Sequence, residues 1–590
     1  MAAVRTLIGL VLAQALLAEV PLIPLKDITP GMRGTGRTVF SGDRIEEFQV
    51  EILGVLENVG PKQSLILARL SGGPLGQTGV LQGMSGSPVY IGGRLAGAVA
   101  MAFAFSKEPV AAIRPIEEIL SVNKGPAERR LQASVSLFEQ DLTRLFPERG
   151  SLPAGEGRMT DIATPLNFGG FTRNTVEAFA PRLRALGLEP QQGMAGGGKP
   201  AARFGDPSKL QPGSMISVQL MSGDLSIGAD GTVTCVDGRN VYAFGHRFLS
   251  IGGTELPFAR ADVLTLLPSL SASFKISAPR EWMGAITEDR STGVAGELGR
   301  RAALVPVSIT LERRGAASAS GRAAYRMEMV NDRFLSALLL QMAVYSVIDA
   351  TERNVGSSTL AIRGEVEFQD GVAPMRVSNM YAGEQSVPQT VSLATAIPVA
   401  YALQSGFEGL RLKSVRLNIE SFDEKKEMRI DQVWASHREV RPGEPVELTV
   451  VLAAANGTEL VRKVSWRTPA GAPPGPLFFT VADGNTTNLS EYRHLLGTAP
   501  KSPAQLVSFL NSLRANTKAY VRIWRNEPSF DIQGEDFPSP PPFLAQMLAR
   551  SQAALGGSAL WRNSKVAELE IDPGQAVITG SKTVQVEIKE

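Results

Sequence analysis

The sequence predicts a mainly β protein of several domains, and three observations carry that prediction. Apolar and polar residues alternate at period two in segments spread along the chain, Gly 59 and Pro 38 punctuate them, and aromatic residues amount to only 6%. At 590 residues the chain is also well past the size at which one hydrophobic core keeps growing. Hydrophobic residues at 43%, charged residues at 20% and a mean hydropathy of +0.01 argue against both a disordered chain and a polytopic membrane protein. The net charge of +2 gives no global sign of a nucleic-acid or anionic-membrane partner. A single cysteine, Cys235, excludes intramolecular disulfides, cysteine zinc sites and iron–sulfur clusters. Only His246, His437 and His494 are histidines, so neither a metal site nor a cofactor is expected.

The first 18 residues read as an export signal. One Arg precedes an apolar run from Thr6 to Ala18 with a small-residue pattern at Ala13-Gln14-Ala15. That run falls short of the ~20 residues that span a bilayer, so a cleaved leader is expected rather than an anchor, with the mature chain in the periplasm or cell envelope. Residues 25–125 are β-rich. Phe48, Val50 and Ile52 alternate with Gln49 and Glu51; Ser64 to Leu70 and Val89 to Ile91 are further strands, and Gly92-Gly93 turns into Arg94 to Met101. Pro115-Ile116-Glu117-Glu118 starts a short helix.

Residues 126–211 read as a helical and glycine-rich connector, with Val176, Phe179, Leu183 and Leu186 on one face and Gly187 as the stop. Within it, Gly193 to Lys199 imitates a phosphate-binding loop, but Pro200 stands where that motif needs a hydroxyl for magnesium. Residues 212–425 form a second β-rich region. It shows alternation at Val305, Val307, Ile309 and Leu311 and at Leu360, Ile362, Val366 and Phe368, with a core helix from Phe334 to Ile348. Residues 428–500 read as a β-sandwich-like module, from the alternation Val446, Leu448, Val450, Leu452 and the hairpin signal Asn456-Gly457. Residues 501–590 add strands and a helix signalled by Ser502-Pro503-Ala504-Gln505.

The segment with chemistry is Gly83-Met84-Ser85-Gly86-Ser87-Pro88-Val89-Tyr90. A serine becomes a useful nucleophile when its oxygen projects from a tight turn beside a base and backbone N–H groups await the oxyanion. Glycines around Ser85 permit such a turn, and the conformational freedom of Gly83 lets the N–H groups of Gly83 and Ser85 form a two-donor oxyanion hole. The bland alternative is a hairpin without chemistry, and a further variant makes Ser87 the nucleophile. Among the histidines, His246 follows the apolar run Val241 to Gly245 and is placed at a strand end, whereas His437 and His494 sit beside charged residues and read as surface. A satisfied core histidine is the bland reading of His246.

Gly83 to Tyr90, with Gly34-Thr35-Gly36 and Ile45-Glu46-Glu47-Phe48 upstream and Gly92 to Val99 downstream, resembles the SpoIVB-type serine peptidase family. Gly231 to Thr234 and Ala243-Phe244-Gly245-His246 are similar to that family's histidine-bearing segment, so the resemblance covers roughly residues 30–120 and 212–300. It implies a chymotrypsin-like core of two packed β-barrels with the site between them, Ser85 as nucleophile and His246 as general base. Two features depart from the family. The serine segment precedes the histidine segment here, and Leu70 to Leu75 lacks the aspartate that the family carries before its serine; Asp262 and Asp289 are weak substitutes.

The expected protein is therefore a double β-barrel peptidase core in swapped segment order, with a helical connector and a C-terminal β-sandwich-like module. Its expected activity is that of an exported serine endopeptidase that needs no metal or cofactor and cuts a protein or peptide substrate in envelope signalling. The C-terminal module would dock an envelope protein partner. The alternative is a catalytically inactive peptidase-like envelope scaffold or protein-binding module.

Overall fold

The computed structural model describes residues 21–103, 106, 108–124, 135–137, 139, 141–146, 159–193, 201–314, 321–351, 355–495, 500–527, 529–532, 535–538, 540–550, 558–561 and 563–590. The leader at 1–18 and residues 194–200 of the glycine-rich stretch lie outside these.

Alternation builds the first barrel. Phe48, Val50 and Ile52 point inward from β2 (Arg44–Gly60), while Gln49 and Glu51 reach solvent. β1 (Arg33–Ser41) pairs antiparallel with β2, in register Gly36 to Phe48, and β3 (Gln63–Ser71) lies on the other side of β2. Gly36 is required here because the Phe48 ring occupies the space in which a Cβ would stand, 2.1 Å away. After a single turn of helix, α1 (Leu75–Thr78), the chain enters β4 (Pro88–Ile91), β5 (Arg94–Phe103) and β6 (Val110–Pro115). The strand order β4-β1-β2-β3-β6-β5 closes on itself through the β4–β5 pairing, giving a six-stranded barrel. α2 (Ile116–Leu120) follows Pro115 as expected.

The segment 126–211, expected as a connector, carries more than its helix. α3 (Arg173–Ala185) is capped by Thr172, whose Oγ1 accepts from the Thr175 N–H, and ends at Gly187 with φ +79. Around it lie β7 (Met159–Asp161), β8 (Thr164–Gly169), β9 (Leu188–Gln192) and β10 (Ala201–Phe204). β7 adds to β5 of the first barrel and β8 to the second sheet, so this stretch ties the two together.

The second barrel is built from β11 (Met215–Gly223), β12 (Ser226–Asp237), β13 (Asn240–Ala243), β14 (Gly252–Leu267), β15 (Phe274–Arg290) and β16 (Gly293–Leu298). Its order, β11-β14-β15-β16-β13-β12, closes through the β11–β12 pairing. The protein thus has the mainly β, double-barrel core of a chymotrypsin-like fold. From β11 the sheet runs on through β18 (Arg322–Val330), β17 (Leu304–Arg314), β21 (Leu412–Phe422), β19 (Val355–Phe368) and β20 (Met375–Gln385). α4 (Leu335–Asp349) and α5 (Val387–Gln404) pack against each other beside it. α4 is apolar and buried on nearly every side, which makes it a core helix; no helix among the described residues is long and apolar enough to cross a membrane.

C-terminal to this, strands 427–435, 445–454, 459–467 and 577–579 form one sheet, and strands 439–440, 475–483, 519–525, 564–571 and 581–588 another. Val446, Val450, Phe479, Val521 and Val586 fill the space between them. The module first visible at 428–500 is therefore completed by the last strands of the chain. The helix Pro503–Asn511 has Ser502 as its cap, with the Gln505 N–H donating to Ser502 Oγ at 3.2 Å.

Candidate active site

The serine loop is bent by glycine and clamped by the other barrel. Gly83 (φ +89) and Gly86 (φ +92) adopt the left-handed conformation that side chains resist. A Cβ on Gly86 would stand 2.1 Å from the Thr232 carbonyl oxygen and 2.5 Å from the Phe244 nitrogen, so only hydrogen fits. Within the first barrel, Gly86 N–H donates to the Val99 carbonyl (2.8 Å) and Val99 N–H to the Ser87 carbonyl (3.0 Å). From β12, the Thr232 N–H donates to the Ser85 carbonyl (2.9 Å), Thr232 Oγ1 to the Gly83 carbonyl (2.8 Å) and Thr234 Oγ1 to the Gly86 carbonyl (2.8 Å). The loop at Ser85 therefore sits at the seam between the barrels.

That clamping orients the N–H groups on either side of Met84. The Gln82 carbonyl accepts from the Lys275 N–H (3.2 Å) and the Met84 carbonyl from the Ser87 N–H (2.9 Å). Because a trans peptide points its N–H opposite its carbonyl, the Gly83 and Ser85 N–H groups are turned away from these partners. Neither donates to an acceptor among the described residues, whereas the N–H groups of Met84, Gly86 and Ser87 all do. Two alternate donors left over in a buried turn are what an oxyanion requires. The hydroxyls of Ser85 and Ser87 are fully buried and hydrogen-bond no described residue.

The histidine arrives from the second barrel. After β13 the chain passes through Phe244 (φ +69) and Gly245 (φ +66) before His246. A positive φ at phenylalanine is strained, and packing holds it: the Phe244 ring covers Gly231, 2.0 Å from where a Cβ would be, and its N–H faces the Thr232 carbonyl at 3.3 Å. Phe244 lies on Gly86, and a Cβ on Gly245 would be 3.2 Å from the Val99 carbonyl that Gly86 also contacts. Ser85 and His246 are thus the chain neighbours of two residues at one crowded point, Gly86 and Gly245. His246 is fully buried, with Nδ1 2.7 Å from the Arg247 carbonyl oxygen. A carbonyl only accepts, so Nδ1 carries a hydrogen, and in the neutral ring Nε2 then holds the lone pair, as a general base requires.

The two aspartates weighed as orienting acids do different work. Asp289 is buried and accepts from the N–H groups of Phe248 (2.8 Å), Leu249 (2.7 Å) and Ile251 (3.2 Å), pinning the loop that leaves His246. Burial pushes its carboxyl up to about 6, against the lowering effect of those N–H donors. Asp262 is engaged by Arg260 (2.9 Å) and Arg280 (2.6 Å) on the outside of the second barrel. His437 is exposed, 3.0 Å from Ser436 Oγ, and the side chain of His494 lies outside the described residues.

Two charged residues beside the serine loop escaped the sequence reading. Lys275 is fully buried on β15, its Nζ donating to Thr38 Oγ1 at 2.7 Å and its methylenes 3.4 to 3.6 Å from the Cβ position of Gly83. Asp230, also fully buried, accepts from Asn167 Nδ2 (2.7 Å), Ser277 Oγ and Ser217. Burial raises Asp230 to about 6 and lowers Lys275 to about 7, each effect opposed by the other's charge. The alternation Ser273, Lys275, Ser277 against Phe274, Ile276, Ala278 was the available signal, and Asp230-Gly231 resembles a turn when read as sequence alone.

Residues 18–111 match a family model described as SpoIVB peptidase S55. The match takes in β1 to β5 and the Ser85 loop and bears out the resemblance to SpoIVB-type serine peptidases; most of β6 and His246 lie beyond the matched span. Searches of curated proteins and of solved structures found no match.

Proposed function

We propose that the protein is an exported serine endopeptidase that cuts a protein substrate in the cell envelope. One observation carries this reading most: the N–H groups of Gly83 and Ser85, on either side of Met84, have no acceptor among the described residues, in a serine loop clamped against the histidine-bearing segment. In the proposed reaction Ser85 Oγ attacks the scissile carbonyl carbon and His246 Nε2 takes its proton. The negative oxygen accepts from Gly83 and Ser85 N–H, His246 returns the proton to the leaving amine, and water then hydrolyses the acyl-enzyme. The Arg247 carbonyl holds the ring tautomer that an aspartate holds in other triads. Because Ser85 and His246 are fully buried, substrate enters only when a covering segment moves, which suits a regulated rather than a digestive role.

The same burial favours a second reading, a peptidase-like scaffold without activity whose C-terminal sandwich binds an envelope protein. Labelling by a fluorophosphonate, with the modified residue mapped by mass spectrometry, separates the two. The peptidase reading expects labelling at Ser85 that disappears in Ser85→Ala and falls by about 10³ or more in His246→Ala. No labelling of the wild-type protein, or equal labelling of Ser85→Ala, selects the scaffold.

A further inference from the structure

We propose that Lys275 is a positioning residue of the serine site, its ammonium held behind the Gly83 turn so that its positive charge supports the oxyanion formed at the Gly83 and Ser85 N–H groups. The proposal rests on the reading of Ser85 as nucleophile. Lys275 is attached to the loop twice, through its N–H to the Gln82 carbonyl (3.2 Å) and through its methylenes against Gly83. Its Nζ bonds Thr38 Oγ1, and no carboxylate among the described residues comes within ion-pair distance of it. A buried lysine with one neutral hydrogen-bond partner is costly to keep charged, and β15 lays its methylenes against the residue that supplies an oxyanion donor. A field acting through the low-dielectric interior needs no contact with the reacting oxygen.

The groups around it leave few alternative sources of charge. Asp230 on β12 is the charged group acting on it across the barrel. The loop from Gln82 to Val89 contains no ionisable carboxyl, amine or imidazole, and β1 offers the Thr38 hydroxyl. Arg260 and Asp262 of β14 are engaged with each other and with Glu281, Asp43 and Arg280. Burial brings Lys275 down to about 7, so its charge is lost across the neutral range rather than at high pH.

The test is the pH dependence of fluorophosphonate labelling at Ser85 in the full-length protein. The expected wild-type rate falls on the alkaline side as Lys275 loses its proton. Lys275→Met removes that alkaline limb and lowers the rate at its maximum about tenfold or more, whereas Lys275→Arg, which stays charged, carries the limb at least two pH units higher. Asp230→Asn, which leaves the serine loop and the lysine untouched, moves the limb to lower pH, because the opposing carboxylate is gone. An alkaline limb unchanged in Lys275→Met and in Asp230→Asn overturns the role of Lys275 alone. A rate that rises with pH in the wild type and collapses in Lys275→Arg overturns it too, assigning the lysine as a base. Absence of labelling in every variant at every pH overturns the nucleophile reading and this proposal together.

Discussion

The two barrels share a strand count and differ in what they bury. The first is filled mainly by Phe48, Val50, Ile52, Ile66, Val89 and Val99, with Thr38 and the Glu118-paired Arg114 also buried on its strands. The second also buries Asp230, Lys275, Ser217, Ser277 and the threonines of β12, facing the serine loop. An apolar barrel gains stability from every side chain it encloses, while each buried polar group in the other is tolerable only if satisfied. The difference teaches that the first barrel is a rigid mount for a loop, and that the second supplies the clamp, the histidine and the charge.

The largest expected effect breaks the join between them. Gly86→Ala places a methyl into the Thr232 carbonyl and the Phe244 backbone at a positive φ, and should cost upwards of about 3 kcal/mol in chemical denaturation. Gly92→Ala, at a turn with φ +57 and open space around it, should cost only about 1 kcal/mol. Equal losses would mean that the barrels are not clamped at Gly86. Next in size is Asp289→Asn, which sets an amide against three N–H donors. It should destabilise by about 1–3 kcal/mol and slow Ser85 labelling by loosening the His246 loop; unchanged labelling would separate the aspartate from the site.

The polar interior of the second barrel should also be visible as pH-dependent stability. Asp230 and Asp289 are raised to about 6, so their stabilising contribution is complete below the ordinary value of 3.8 and is lost as pH rises through about 6. Lys275 is lowered to about 7, so its contribution is complete above 10.5 and is lost as pH falls through about 7. Denaturation midpoints should therefore pass through a trough near pH 6 to 7 and recover toward pH 9, with a limiting slope of about 1.4 kcal/mol per pH unit for one proton. Lys275→Met should flatten the alkaline recovery; a wild-type curve flat from about pH 7 to 9 would remove the buried lysine from the picture. The smallest effect belongs to Asp262→Asn, whose ion pairs lie on the barrel's outer face. Labelling should not change, and stability should shift by no more than about 1 kcal/mol.

How much of this was legible in the sequence follows from the range of the forces involved. The strands around Phe48, Val305, Leu360 and Val446 announce themselves by period-two burial, and the helix after Ser502 by its cap, because both signals are local. Ser85, His246 and the proposed oxyanion donors Gly83 and Ser85 were picked out by motif, a signal that is local too. α5 was not, since Pro388 and Pro398 lie within it and burial around most of its circumference erases the amphipathic period. Barrel closure was not readable from local pattern either: β4–β5 and β11–β12 are pairings decided by the whole ring. Lys275 stayed hidden because a charged residue in a strand is ordinarily read as facing solvent, and only the packing of Gly83 against its methylenes reveals the opposite.

A crystal structure of the fluorophosphonate-treated protein tests the shared site most directly. The expected result is an adduct on Ser85 whose phosphonyl oxygen lies about 2.7–3.1 Å from the nitrogens of both Gly83 and Ser85, with the His246 ring on the opposite side of phosphorus. An adduct on Ser87, or an oxygen on Ser85 that points away from both N–H groups, would show that the seam between the barrels is not an acyl-transfer site.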